Sequence, residues 1–136
     1  IWNSSASVPV GLYVLSPEMP RIGGMVAVHM PIHARQMAED RRYLPANALL
    51  LKPIAAMPGD RVCYRQKRIF INGRVGATAA FHDTAQRLMP VWQGCRRLQA
   101  SEIFVLSPQQ NSFDSRYFGP IRRDAVVGVA RPVVTF

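Results

Sequence analysis

With 136 residues, 49% of them hydrophobic, the chain has the size and composition of one compact domain with a single core. Its longest apolar run, residues 22–32, contains Gly and His and is about half the roughly 20 residues that a membrane-spanning helix needs. The net charge of +9 rests on 17 basic residues, of which fifteen are Arg. Such a charge predicts attraction to acidic partners, such as anionic lipid head groups or nucleic acid, without distinguishing them.

The first third of the chain predicts two strands and one helix. Residues 10–15 read as a short strand ended by Ser16-Pro17, and residues 25–30 as a second strand ended by Pro31. Residues 33–43 hold Ala, Gln, Met, Glu and Arg without Gly or Pro, which is typical of a helix. Because this helix is charged on most sides, we expect a surface excursion outside the core.

The centre of the chain predicts a buried strand followed by a β-meander. Residues 48–57 are almost wholly apolar, with Lys52 as the one exception. Pro53 lacks a backbone donor, so it favours an edge or a bulge at this point. Residues 62–64 and 68–71 predict a strand pair, and Asn72-Gly73 is a strong signal for a tight turn into a further strand.

The pattern weakens in residues 77–94, which predict loops with one or two poorly defined strands. Residues 102–107, 125–130 and 133–136 predict the last strands. The predicted fold class is therefore mainly β, an antiparallel fold with one short surface helix, in a single domain spanning residues 1–136.

Neither cysteines nor histidines form a pattern that binds metal. Cys63 and Cys95 could form one disulfide bond in an oxidising compartment, or could be two buried thiols. Pro31 separates His29 from His33 and prevents a shared helical face, and His82 has no recognisable partner motif. No metal or other cofactor is expected.

Lys52 and Ser7 are the candidates for catalytic chemistry. Burial of a lysine ammonium lowers its pKa, as a general base requires, although a lysine can also lay its stem on the core and keep its head in water. Ser7, in the stretch NSSASVPVGLY of residues 3–13, is a poor nucleophile unless a base accepts its proton. Neither residue alone identifies an enzyme.

Three ordered blocks together resemble the signal peptidase family of serine peptidases, which use a Ser/Lys dyad. Residues 7–13, SVPVGLY, resemble the TraF-type conjugal transfer branch, with the serine two residues before Pro. Lys52 precedes a Pro-Gly-Asp turn at residues 58–60, as in the lysine strand of the family. Residues 111–119, NSFDSRYFG, resemble its NSxDSRYWG-like box, although the usual acidic, Gly-containing lead-in is replaced by SPQQ at residues 107–110.

The resemblance implies a role for each site residue. Ser7 would be the nucleophile, with Ser5 as second oxyanion donor and as the fallback nucleophile. Lys52 would be the general base, and Ser112 would hydrogen-bond and orient it. Asp114 would support the active site by pairing with Arg116, although both could simply close a turn.

The resemblance also implies cellular context. Such enzymes act at the periplasmic side of the inner membrane behind an N-terminal anchor, which we expect to be missing from this chain. They cut exported precursors after small residues, and TraF-type members process pilin precursors for conjugative transfer. The expected partners are therefore a protein or peptide substrate and the inner membrane, with no nucleic acid.

Two alternatives remain at the level of sequence. A LexA-like self-cleaving regulator shares the Ser/Lys dyad and a β fold, but the Asp114 box and a serine so early in the chain argue against it. A basic nucleic-acid-binding β domain would fit the charge of +9. Binding faces of that kind cluster basic residues among aromatic ones, whereas these arginines are spread along the sequence.

Overall fold

The structure, a computed structural model, describes residues 1–3, 7–45 and 47–136. The described strands are β1 (Trp2–Asn3), β2 (Gly11–Ser16), β3 (Met25–His29), β4 (Leu49–Ala56), β5 (Arg61–Arg65), β6 (Arg68–Ile71), β7 (Arg74–Thr78), β8 (Gly94–Arg97), β9 (Glu102–Val105), β10 (Ile121–Arg122) and β11 (Val126–Thr135). The helices are α1 (Ile32–Asp40), α2 (Ser115–Phe118) and a 3-10 turn, Arg123–Ala125.

These strands form two antiparallel sheets, which confirms the predicted fold class. The large sheet has the order β1-β2-β11-β3-β4-β9-β10, and the small sheet has the order β7-β6-β5-β8. The main core includes Val62, Tyr64 and Ile69 of the small sheet as well as residues of the large one. Within the described ranges, no helix has the length and apolar character needed to cross a bilayer.

Most predicted strands appear within two residues of their expected bounds. The turn at Asn72-Gly73 also forms as predicted, with positive φ angles of 50° and 84° that suit a two-residue hairpin. The two-residue strands β1 and β10 were not predicted, and two longer strands differ from the prediction. β8 begins at Gly94, the last residue of the weakly patterned segment, and continues to Arg97. β11 is one strand where two were expected, because a register shift after Pro132 accommodates the missing backbone donor.

The predicted helix α1 ended three residues too late, and the expectation that it lies outside the core was wrong. Ala34 and Ala38, four residues apart on one face, are buried in the main core. The helix ends because Arg42 adopts a left-handed conformation, with φ at 58°, and Tyr43 N donates to Ala38 O. This Schellman-type end turns the chain so that Tyr43 packs against the core.

The segment that follows Ser7 is fixed to the large sheet by close packing. Val8 and Tyr13 are buried with Ala27 and Leu51 in a second, smaller cluster. At Gly11, a Cβ atom would lie 2.0 Å from Val134 O of the neighbouring strand β11. Only glycine allows this approach, so the start of β2 is held tightly against β11.

A disulfide bond joins Cys63 of β5 to Cys95 of β8, which decides between the two states that the sequence left open. The two residues are direct cross-strand partners in the small sheet. The bond therefore closes the loop between these strands, across a sequence separation of 32 residues.

Replacing both cysteines by serine should lower the free energy of unfolding by roughly 3 to 4 kcal/mol, because the bond restricts the unfolded chain. Denaturant unfolding of the oxidised protein and of the Cys63→Ser/Cys95→Ser variant measures the difference. Equal midpoints for the two proteins would contradict a stabilising bond.

Candidate active site

The loop that carries Ser7 is held in place by hydrogen bonds from both ends. Asn3 Nδ2 donates to Val8 O at 3.3 Å and to Pro9 O at 3.2 Å, and Tyr13 OH donates to Pro9 O at 2.6 Å. Ser7 itself is half-buried. These hydrogen bonds therefore fix the turn that carries Ser7 and leads into β2.

Lys52 lies in β4, opposite Val26 of β3. On the other side of β4, strand β9 pairs with Ile54 and Ala56, with a register shift between these pairs. The irregularity expected from Pro53 is thus present, although β4 is an interior strand of the sheet. The side chain of Lys52 is only 3% exposed, so its head does not extend into bulk water.

Burial lowers the pKa of Lys52 to about 8. The nearby Asp114 carboxylate opposes this effect by favouring the ammonium, and the Arg116 guanidinium adds to it. A lysine with this pKa is partly neutral near neutral pH and can accept a proton.

Ser7 and Lys52 line the same cleft, which has a volume of about 400 Å³. The site that the sequence predicted from two residues 45 positions apart is therefore brought together in one cavity. Four segments form the remaining walls: the start of β4, the segment after α1, the 80–89 loop and the 111–117 segment. Their lining residues include Leu49, Leu51, Tyr43, Leu44, His82, Asp83, Met89, Asn111, Phe113 and Tyr117.

Ser112 contacts the serine of this cleft. Its Oγ donates to Ser7 Oγ at 2.7 Å. The sequence-based expectation was that Ser112 orients Lys52, and that role stays a prediction. Ser5, the expected second oxyanion donor, lies outside the described residues.

Ser107 contacts the same loop and was not identified from the sequence. Its Oγ donates to Ser7 O, and the residue is 3% exposed. Sequence reasoning treated Ser107 as the end of a strand, and residues 107–110 as a departure from the family pattern. The available signal was a serine at the end of a strongly apolar strand, just before the 111–119 box.

Asp114 and Arg116 form a buried ion pair, with Arg116 Nε 2.8 Å from Asp114 Oδ1 and Nη2 2.9 Å from Oδ2. Asp114 also caps α2 by accepting from Arg116 N, and it accepts from Ser107 N at 2.8 Å. The guanidinium donates further to the carbonyl oxygens of Ser107, Gln110 and Thr78. The pair therefore joins three segments of chain around the cleft.

A second polar network supports the opposite wall. Tyr43 OH donates to Asp83 Oδ2 at 2.7 Å, and Arg87 Nε donates to the same oxygen at 2.8 Å. The Tyr43 hydrogen bond, with those from Arg87, holds the pKa of Asp83 well below its usual range. The segment after α1 and the 80–89 loop, which lie outside the three family blocks, thus meet at the cleft.

No group of three or more His, Cys, Asp or Glu residues with metal-binding geometry occurs in the described part of the chain. Of the histidines, His82 lines the cleft, and His33 Nε2 lies 3.2 Å from Phe118 O.

The antiparallel fold agrees with what comparison with known proteins finds. The family model described as "Signal peptidase, peptidase S26" matches residues 1–135. The chain belongs to this family, and it is a serine peptidase. This match confirms the family that the three sequence blocks predicted.

Relatives with the TraF name are similar over almost the whole chain. The conjugal transfer protein TraF of Agrobacterium fabrum is 33% identical, over 98% of this chain and 81% of its own length. A plasmid transfer protein TraF of Escherichia coli is 32% identical over 98% of this chain and 82% of its own. A signal peptidase I from Enterococcus faecalis has a similar fold, with a TM-score of 0.50 and 22% identity, over 84% of this chain and 98% of its own.

Replacing Arg116 by Met should lower the free energy of unfolding by about 3 to 5 kcal/mol, because it leaves the buried Asp114 charge without its partner. Chemical denaturation measures the loss. The matched control is Arg122→Gln, which breaks the exposed pair with Asp124 and should leave the midpoint nearly unchanged. Equal effects of the two substitutions would contradict a structural role for the buried pair.

Proposed function

We propose that this chain is a serine endopeptidase with a Ser/Lys dyad, in which Ser7 is the nucleophile and Lys52 is the general base. The observation that carries the proposal is that Ser7 and a buried lysine with a pKa of about 8 line one cleft. Family membership supports the same chemistry.

The reaction begins with proton transfer from Ser7 Oγ to the neutral Lys52 amine. The alkoxide attacks the scissile carbonyl carbon and forms a tetrahedral intermediate. This intermediate expels the amine of the leaving peptide, which takes the proton back from the Lys52 ammonium. Water then attacks the acyl-enzyme with Lys52 again as base, which releases the carboxylate product and regenerates Ser7.

The oxyanion of the tetrahedral intermediate needs hydrogen-bond donors. We assign the first to the backbone N–H of Ser7 and the second to the hydroxyl of Ser5, the latter on the basis of the family resemblance. Loss of one such donor typically costs about 10²- to 10³-fold in rate.

Ser112, Asp114 and Arg116 are positioning residues in this proposal. Ser112 Oγ donates to Ser7 Oγ at 2.7 Å and so restrains the hydroxyl group of the nucleophile. The Asp114–Arg116 pair fixes the backbone on both sides of Ser112 through Gln110 O and α2. Together they keep the nucleophile in the cleft.

The substrates we propose are exported precursor proteins, and in particular a pilin precursor of a conjugative transfer system. The names of the TraF relatives refer to plasmid and conjugal transfer, and the family to signal peptide removal. The enzyme would act at the periplasmic side of the inner membrane, with an N-terminal anchor.

The variants Ser7→Ala and Lys52→Ala should each have a kcat/KM lower by about 10⁴-fold or more, because the reaction needs both the nucleophile and the base. Cleavage of a precursor peptide with a small residue before the scissile bond is the measurement. Two controls test the assignment of the base. Lys67→Ala removes the only other lysine, and His82→Ala removes the histidine that lines the cleft.

Both control variants should retain cleavage within a small factor of the unmodified chain. Full activity of Lys52→Ala, or a loss in His82→Ala as large as that in Ser7→Ala, would instead indicate a different base.

The rate should rise with pH. Because the pKa of Lys52 is about 8, the amine is mostly protonated at pH 7 and becomes neutral as the pH passes 8. The value of kcat/KM should therefore increase about tenfold per pH unit below the pKa and level off above it. A pH profile of peptide cleavage tests this, and a profile that is flat from about pH 6 to 9 would rule out Lys52 as the base.

A further inference from the structure

Most of the net charge of the chain is concentrated in the small sheet. Strands β5 to β8, with the turns that join β5 to β6 and β6 to β7, contain seven basic residues and no acidic one: Arg61, Arg65, Lys67, Arg68, Arg74, Arg96 and Arg97. The rest of the chain holds ten basic and eight acidic residues, a net charge of only +2. The expectation that the arginines are spread out holds along the sequence but not in the fold.

Strand register places four of these arginines on one side of the sheet. In β5, Val62 and Tyr64 are buried in the core, and the residues between and beside them face outward. Arg61 is opposite Arg97, and Arg65 is opposite Arg68. We call the exposed surface formed by Arg61, Arg65, Arg68 and Arg97, around the Cys63–Cys95 disulfide, the arginine face.

Like charges directly opposite each other destabilise a sheet, so these two cross-strand pairs have a cost in the isolated protein. None of the four arginines forms an ion pair with any described residue. Their side-chain hydrogen bonds to described residues are from Arg97 to Gly59 O and from Arg65 to the Cys95 sulfur. An anionic partner would therefore relieve repulsion as well as supply new contacts.

We propose that the arginine face binds the headgroups of anionic phospholipids. Guanidinium groups bind phosphate oxygens in a bidentate manner, and four exposed arginines on one face of the sheet can contact several headgroups at once. On the same face, Val75 is 57% exposed and lies opposite Phe70, which gives the surface an apolar part as well. Basic residues near an anionic membrane each strengthen binding in this way.

The face is less suited to nucleic acid. Single-stranded nucleic acids bind through exposed aromatic side chains on which bases stack. Phe70 is the aromatic residue of the arginine face, and it is partly buried between strands. The charge of the face is thus not accompanied by a stacking surface.

This inference is independent of the proposed peptidase mechanism. None of the four arginines lines the cleft that holds Ser7 and Lys52. Their substitution should leave cleavage of a short soluble peptide unchanged, so a failure of membrane binding and a failure of the dyad can be told apart.

The test is co-sedimentation of the 136-residue chain with vesicles of phosphatidylcholine alone or mixed with phosphatidylglycerol. We expect binding to the mixed vesicles only, weakening as salt rises. The Arg65→Gln/Arg68→Gln variant should bind them roughly 30-fold more weakly, since each arginine near the surface contributes about a factor of five. Its unfolding midpoint should not fall, because the substitution removes a repulsive pair.

The matched control is Arg21→Gln/Arg42→Gln, which removes the same charge from exposed positions outside the small sheet. It should reduce vesicle binding by no more than about threefold, through net charge alone. An equal loss in both double variants, or equal binding to neutral vesicles, would overturn the proposal. Preferential binding of a DNA oligonucleotide over mixed vesicles at equal phosphate concentration would also overturn it.

Discussion

The buried pair of Asp114 and Arg116 is the interaction on which the candidate site depends. Neither charge would be tolerated alone in the interior, where a carboxylate or guanidinium loses its hydration. Together they are almost fully hydrogen-bonded, to each other and to the backbone of Ser107, Gln110 and Thr78. The segments that these bonds hold carry Ser107 and Ser112, which both contact Ser7.

The same pair also acts on Lys52 through space. Burial alone favours the neutral amine, whereas the negative charge of Asp114 favours the ammonium, and Arg116 partly offsets that charge. Because burial is the largest effect, the pKa of Lys52 falls below its usual value, but only to about 8. The amine can therefore both accept a proton and return it within the ordinary pH range.

Local sequence patterns were sufficient to predict most of the strands and part of the candidate site. Apolar runs predicted the strands, and Asn72-Gly73 predicted its hairpin, because both signals act over a few neighbouring residues. The pattern around Ala34 and Ala38 predicted a helix, but its place in the core depended on packing partners far along the chain. Tyr43 and Asp83 carried no motif, and their hydrogen bond arises only when the 80–89 loop folds against the segment after α1.

The sequence by itself determined the mainly β class, the family, and the residues Ser7 and Lys52 as candidates, because these depend on residue type and order. Only the tertiary structure decided which side chains meet. The disulfide, the contacts of Ser107 and the arginine face all depend on cross-strand register between segments remote in sequence. A shift of one residue in that register would turn every side chain of a strand to the other side of the sheet.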